Sequence, residues 1–324
     1  MKDATLTSPP PPGETIGASA DELLATADMS SAAPPPPLDP PMADLTRRAR
    51  VGRWLSRLAR TPGLVAAIAF LSLVAVAAGF PQALATTDPL ATDPANLFAP
   101  PSAEHWFGTD YIGRDVYARV VYGAALSLRA TLVALSLAFV LSAIIGLLAG
   151  FCGGLVDAVL MRVVDVLLAI PGLLIALVLI TALGFGTLNV AIAVGAGSVA
   201  GLSRVMRAEV LRTSTSPFVE AARASGARWH TILWRHVLPH AKGPVLALTA
   251  LEFGTAVLAI AGLSFLGFGA ELPTPEWGNL VAEGRNYMGR AWWMTVLPGL
   301  VIVVTVVCGN RLARGFGHSP GQPR

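Results

Sequence analysis

The sequence predicts an all-α membrane protein with six transmembrane helices and both termini on the cytoplasmic side. Three observations carry this expectation: the apolar content, the length of the apolar blocks, and the sorting of the basic residues. The 324-residue chain is 54% hydrophobic and only 13% charged, with a mean hydropathy of +0.62. Soluble domains carry about 25% charged residues, so this chain is too apolar to sit in water.

A helix needs roughly 20 apolar residues to cross about 30 Å of hydrocarbon. Blocks of that length lie at about 63–85, 127–150, 159–182, 187–207, 244–267 and 293–312. Backbone groups inside lipid must satisfy one another, which makes these segments helical. The block at 187–207 is rich in Gly and Ala, with Gly197 and Gly201 four apart. That spacing suits close helix packing and predicts a helix surrounded by others; the competing reading is a flexible loop. Pro171 followed by Gly172 predicts a kink in the third span.

Six crossings leave both ends on one side. With that side as the cytoplasm, only Arg114, Arg119, Arg129, Arg285 and Arg290 of the 23 Lys and Arg fall outside, as the positive-inside rule requires. The aromatic residues agree. Trp106, Tyr111, Tyr117, Tyr122, Trp277, Tyr287, Trp292 and Trp293 fall near the outer boundary, and Trp54, Trp229 and Trp234 near the inner one. Amphipathic rings favour the headgroup level.

Residues 1–50 contain the proline runs Pro9–Pro12 and Pro34–Pro37, which cannot build a core, and read as a disordered cytoplasmic tail. The first apolar block starts too late, and is too long, for a cleaved signal sequence. Residues 51–122 hold the first span and an outer elbow, residues 123–314 the main membrane domain, and residues 315–324 a cytoplasmic tail. A net charge of +3 gives no argument for nucleic acid. Cys152 and Cys308 read as packing residues. The five histidines are scattered; His236 and His240 are i, i+4 but lack a third ligand, so no metal or other cofactor is expected. No GxxxxGK[ST] phosphate loop is present, and nothing resembles an enzyme site.

One connection stands apart, Ser216 to Pro244 between spans four and five. Ser216 can cap a helix beginning at Pro217, with Glu220 near the positive end of its dipole and Gly226 ending it in a left-handed conformation. Phe218, Ala221, Ala222 and Ser225 recur at helical spacing, a mostly small, smooth face suited to a groove on another protein. A second stretch has Trp229, Ile232, Leu233 and His236 at the same spacing, as in an amphipathic helix at the inner surface, and Pro239 is expected to end it. From spacing alone an ordinary interfacial loop remains equally open. In the outer segment Phe107–Leu128, Gly108 and Gly113 suit turns and Asp110 and Asp115 suit turn or cap positions. That segment is a topological anchor or a contact for an external protein. Arg162 and Asp165, three apart, can pair on one helix face. Glu252, about eight residues into span five, costs at least ~2.5 kcal/mol if charged and facing lipid. It lines a pathway or serves as a protonated or hydrogen-bonded structural acid.

The Ser216–Pro244 segment resembles the EAA loop of ABC importer permeases: Glu220-Ala221-Ala222, then Gly226, then Leu238-Pro239. Three further segments resemble the dipeptide, oligopeptide and nickel permeases: Phe107–Leu128, Gly150–Pro171 and Leu263–Leu280. The resemblance covers roughly residues 105–310. It implies a type I ABC importer permease fold and an ATPase-coupling helix carrying Glu220, Ala221, Ala222 and Gly226, with Leu238 and Pro239 behind it (coupling loop 216–239). It implies as partners a related permease subunit, cytoplasmic ABC ATPases and an extracytoplasmic solute-binding protein, in a bacterial plasma membrane. The implied cargo is a di- or oligopeptide, with nickel left open by the shared motifs, and ATP hydrolysis belongs to the partners. The chain departs from the pattern at His236, where relatives carry an apolar residue, and at Ile260, where many carry an acid. It also lacks an acidic segment after the last span. An ion-gradient transporter using Glu252 is the alternative reading.

Overall fold

A computed structural model of the chain describes residues 62–317, with side chains to residue 314. The proline-rich tail expected over residues 1–50 lies outside the described residues, as do residues 318–324.

Among the described residues every regular element is helical: α1 (Pro62–Gly79), α2 (Val116–Cys152), α3 (Gly154–Ala169), α4 (Gly172–Leu183), α5 (Thr187–Ser214), α6 (Pro217–Ala224), α7 (Trp229–Ile232), α8 (Leu238–Leu251), α9 (Phe253–Phe265), α10 (Trp277–Arg285) and α11 (Trp293–Gly317). Short 3-10 turns at Pro81–Ala83 and Pro94–Asn96 lie between α1 and α2. Four helices, α1, α2, α5 and α11, are long and apolar enough to cross a bilayer unbroken. Two bent pairs, α3 with α4 and the α7–α8 run with α9, bring the number to six when each pair counts as one span.

The boundaries differ from the sequence expectation where proline and polar caps intervene. Helix α1 stops at Gly79, because Pro81 cannot continue the hydrogen-bond ladder. Helix α2 begins eleven residues before the expected 127, where the Asp115 carboxylate accepts from Ala118 N at 2.8 Å. The kink expected at Pro171 is a full break of 96°. Ile170 is extended (φ −97°, ψ 129°), as the residue before a proline is driven to be. The second break, 43°, falls at Glu252.

Helix α5 is the most enclosed of the unbroken spans, half of its most apolar stretch being buried against 17–33% for the others. This matches the helix expected among helices and rules out the loop reading. The close approaches, however, are not those of a Gly197–Gly201 seam. A Cβ on Gly195 would meet Ala134 O of α2 at 2.6 Å, and one on Gly146 would meet Met206 at 2.5 Å, whereas Gly201 faces open space. Gly197 lies against the Gly172 backbone at the start of α4.

Three buried clusters run along the bundle. One, at the elbow end, joins α1, the start of α2, α9, α10 and α11 around Trp277, Trp293 and Met294. The middle cluster joins α2, α4, α5 and α9 around Ile180, Val190 and Ile260. The third, at the opposite end, gathers Met206, Val210, Val219, Ile232, Val237 and Val245. Trp277 and Trp293 are therefore core residues rather than headgroup rings; their indole N–H groups donate to Val120 O and Thr109 O. Trp106, Trp229, Trp234 and Trp292 are exposed, as an interfacial belt requires.

Candidate functional site

Helix α6 begins as expected, with Pro217 at its first position and Glu220 in its first turn. Ser216 occupies the cap position, but its hydroxyl donates back to Thr213 O in α5 at 2.5 Å rather than capping α6. The helix ends in a Schellman arrangement. Gly226 N donates to Arg223 O at 3.0 Å and Ala227 N to Ala222 O at 3.1 Å. Gly226 has φ +76°, the left-handed conformation expected there.

Helix α6 is planted by a residue just beside the face expected to meet another protein. Val219 is fully buried among Met206, Val210 and Val237, and Ala222 packs partly against the same cluster. Phe218, Glu220, Ala221, Ser225 and Gly226 are exposed. Sequence reasoning missed Val219; the signal was a β-branched residue three before Ala222, in a helix whose other apolar side chain, Phe218, neighbours it. Phe218 packs against His240, ring centroids 4.9 Å apart and the planes tilted by 38°. His240 Nδ1 lies 2.7 Å from His236 O, and the two histidines belong to no group of potential metal ligands among the described residues.

Pro239 does not end the second stretch. A π-helical turn, Leu233–Val237, closes with Leu238 N donating to Leu233 O, and the chain continues directly into α8 with Pro239 in its first turn. The wider turn leaves Pro239 where a missing N–H is tolerated. Of the expected apolar face, Ile232 and Leu233 are buried, His236 is half-buried and Trp229 is exposed near Phe151 of α2. Leu238 is half-buried and Pro239 exposed. Glu220, Ala221, Ala222 and Gly226 thus share one short helix and its cap, while Leu238 and Pro239 lie at the root of α8.

The acids of α3 pair across to α5. Asp157 holds Arg207 through both oxygens, and Asp165 meets Arg204 at 2.6 Å. The expected partner of Asp165, Arg162, is on its own helix; the neighbouring helix wins because α5 presents two guanidinium groups to that side.

Glu252 sits at the α8–α9 break, half-buried, and lines a cleft of ≈ 170 Å³ with residues of α4, α5 and α9. The Thr255 hydroxyl donates to its Oε2 at 3.1 Å.

At the other end, the elbow is built as the glycines and acids predict. Gly108 and Gly113 have φ +71° and +84°, and Asp110 accepts from Ile112 N and Arg114 N. Sequence reasoning missed the buried quartet that locks it. Arg114 Nε meets Asp110 at 2.6 Å and Arg114 Nη2 meets Glu283 of α10 at 2.7 Å. Arg119 Nη1 reaches Asp110 at 3.1 Å and Glu283 at 2.8 Å. Two of the five outer arginines are thus neutralised internally. Nearby, Glu276 is fully buried and caps α10 through Gly278 N and Asn279 N, each at 3.2 Å. Burial pushes its carboxyl above the ordinary range.

Long apolar helices, two of the spans broken, with an anchored helical hairpin at one end and a charge-locked elbow at the other, define a multi-pass membrane protein. The profile of binding-protein-dependent transport system inner membrane components matches residues 142–319. The probable D,D-dipeptide transport system permease protein DdpC of Escherichia coli (strain K12) is 40% identical over 72% of this chain and 78% of its own length. The dipeptide transport system permease protein DppC of Alkalihalophilus pseudofirmus is 36% identical over 78% of this chain and 82% of its own. The glutathione transport system permease protein GsiD of Pectobacterium atrosepticum is 37% identical over 67% and 72%. A solved structure of the MetNI methionine ABC transporter in inward-facing conformations aligns over 62% of this chain and 97% of that one, at 18% identity and a TM-score of 0.48. The chain belongs to the binding-protein-dependent transport system inner membrane component family. It is a permease subunit of an ABC importer, a transport component rather than an enzyme.

Proposed function

We propose that this chain is one of two related permeases in a bacterial inner-membrane importer of di- or oligopeptides, and that α6 is where a cytoplasmic ATPase docks on it. The peptide assignment rests on the relatives of 35–40% identity, which are dipeptide, D,D-dipeptide and di/tripeptide permeases. The docking assignment rests on the shape of α6. One buried side chain, Val219, plants it on α5 and the α8 root, while Phe218, Glu220 and Ala221 stand exposed. A push on that exposed face is delivered through Val219 to Met206 and Val210 of α5, and through Val237 and Val245 to α8. Both recipient spans lead to the cleft at Glu252. Closure of the ATPases on ATP would thereby tilt α5 and α8 and switch access from one side to the other. An extracytoplasmic binding protein delivers the peptide, and the elbow and α10 are the surface it would meet.

The test is ATP-driven uptake of L-alanyl-L-alanine by the reconstituted complex with its binding protein. Gly226→Pro cannot hold φ +76°, and Glu220→Lys reverses the charge at the α6 N-terminus. Both are expected to abolish ATPase co-purification while leaving membrane insertion intact. Normal ATPase retention in both variants, or uptake driven by an ion gradient without ATP, would overturn the proposal.

A further inference from the structure

The breaks in the third and fifth spans meet at one place. Helix α3 ends at Ala169 and α4 restarts at Gly172; α8 ends at Leu251 and α9 restarts at Phe253. Gly172 and Glu252 line the same cleft. Glu252 lies roughly 20 Å from the start of α8 and roughly 20 Å from the end of α9, well inside a span of bilayer-crossing length.

Small residues dominate the walls, with Gly172 and Ala176 of α4, Gly197 and Ser198 of α5 and Thr255 and Ala259 of α9, beside the larger Leu173 and Val194. Glu252 is the sole charged residue of the lining. Among the described residues no Lys, Arg or His forms an ion pair with it; its side-chain partner is the Thr255 hydroxyl. A carboxylate at this depth without a counter-ion is costly. The C-terminal ends of α3 and α8 add partial negative charge beside it. The cleft therefore favours a cation. Hydroxyls at Ser198 and Thr255, beside a carboxylate with a free oxygen, suit a group with several N–H donors. A volume of ≈ 170 Å³ between these walls admits a compact group and little more.

We propose that this cleft receives the free N-terminal ammonium group of the peptide as it crosses the membrane, with Glu252 as its counter-ion. The assignment rests on the peptide-importer reading above. It gives the pathway a polarity: the ammonium end is held at the junction of two broken helices, and tilting of α8 against α9 at Glu252 changes the cleft that holds it.

The experiment uses the complete importer in proteoliposomes, with binding protein saturated in L-alanyl-L-alanine. Glu252→Gln is expected to cut uptake tenfold or more while the second permease and the ATPases still co-purify; Glu252→Asp retains at least half of the wild-type rate. A second measurement places a thiol at the cleft by Thr255→Cys, in a background with Cys152→Ser and Cys308→Ser. A trimethylammonium thiosulfonate reagent should modify it faster than a sulfonate one, and Glu252→Gln should collapse that ratio. L-Alanyl-L-alanine should protect the thiol, and its N-acetyl derivative should not. Wild-type uptake in Glu252→Gln, an unchanged reagent ratio, or equal protection by the acetylated peptide would each overturn the assignment. Loss of the second permease from Glu252→Gln would overturn it too, making Glu252 a subunit counter-charge. A wild-type complex that imports no peptide fails before any substitution is made, and marks failure of the peptide reading itself.

Discussion

Replacing Glu283 by alanine is expected to loosen the elbow by several kcal/mol. Glu283 accepts from Arg114 Nη2 at 2.7 Å and from Arg119 Nη1 and Nη2 at 2.8 Å each. Arg114, Arg119, Asp110 and Glu283 have less than a tenth of their side-chain surface exposed. The quartet is neutral as it stands, two guanidinium groups against two carboxylates. Without Glu283 both cations remain buried with Asp110 alone. Breaking a buried pair by removing one partner costs about 3–5 kcal/mol, because the remaining charge is left without compensation. Asp165→Ala is the internal control. It also removes one close ion pair, but its pair with Arg204 is half-exposed, and exposed pairs contribute about 0–1 kcal/mol. Thermal unfolding of the purified complex, followed by tryptophan fluorescence, compares the two. Trp277 and Trp293 lie in the cluster beside the quartet and report on it directly. Glu283→Ala should lower the midpoint several times further than Asp165→Ala. Equal shifts would refute the reasoning, since burial would then have made no difference to the value of the charges.

Gly195→Ala places a Cβ 2.6 Å from Ala134 O, so α2 and α5 must separate at a cost of about 1–3 kcal/mol; Gly201→Ala meets nothing and should be close to neutral in the same unfolding assay. Glu276 gives a pH dependence: its raised carboxyl means that the folded protein keeps a proton which the unfolded chain releases, so its contribution is complete below the ordinary value of 4.5 and is lost as pH rises through the folded one. Glu276→Gln, which can still cap α10, should flatten that loss, and parallel unfolding midpoints across pH in wild type and variant would count against it.

Much of this protein was legible in its sequence. The membrane class follows from block length and charge sorting, because the bilayer imposes one thickness and one electrical asymmetry on every chain. Gly108 and Gly113 signalled turns, Gly226 a left-handed helix end, Asp115 a turn or cap and Pro171 a kink, which is a full break in the structure, because each constrains its own backbone. The EAA pattern marks the position of α6 along the chain. The anchor of α6 was not legible: Val219, beside the Phe218–Ser225 stripe, is the residue that buries, and an eight-residue helix offers too few positions to mark it.

The sequence by itself determined that the chain is helical, crosses a membrane and carries a short helix between its fourth and fifth spans, since these depend on local composition and short spacing. Only the tertiary structure decided which groups meet. Arg119 finds Glu283 across 164 residues and Arg207 finds Asp157 across 50. Membrane helices that are apolar on all sides carry no stripe to declare their buried face; crossing geometry chooses it. The same geometry brings the breaks at Pro171 and Glu252 into one cleft, and turns an isolated acid in the sequence into one wall of a defined cavity.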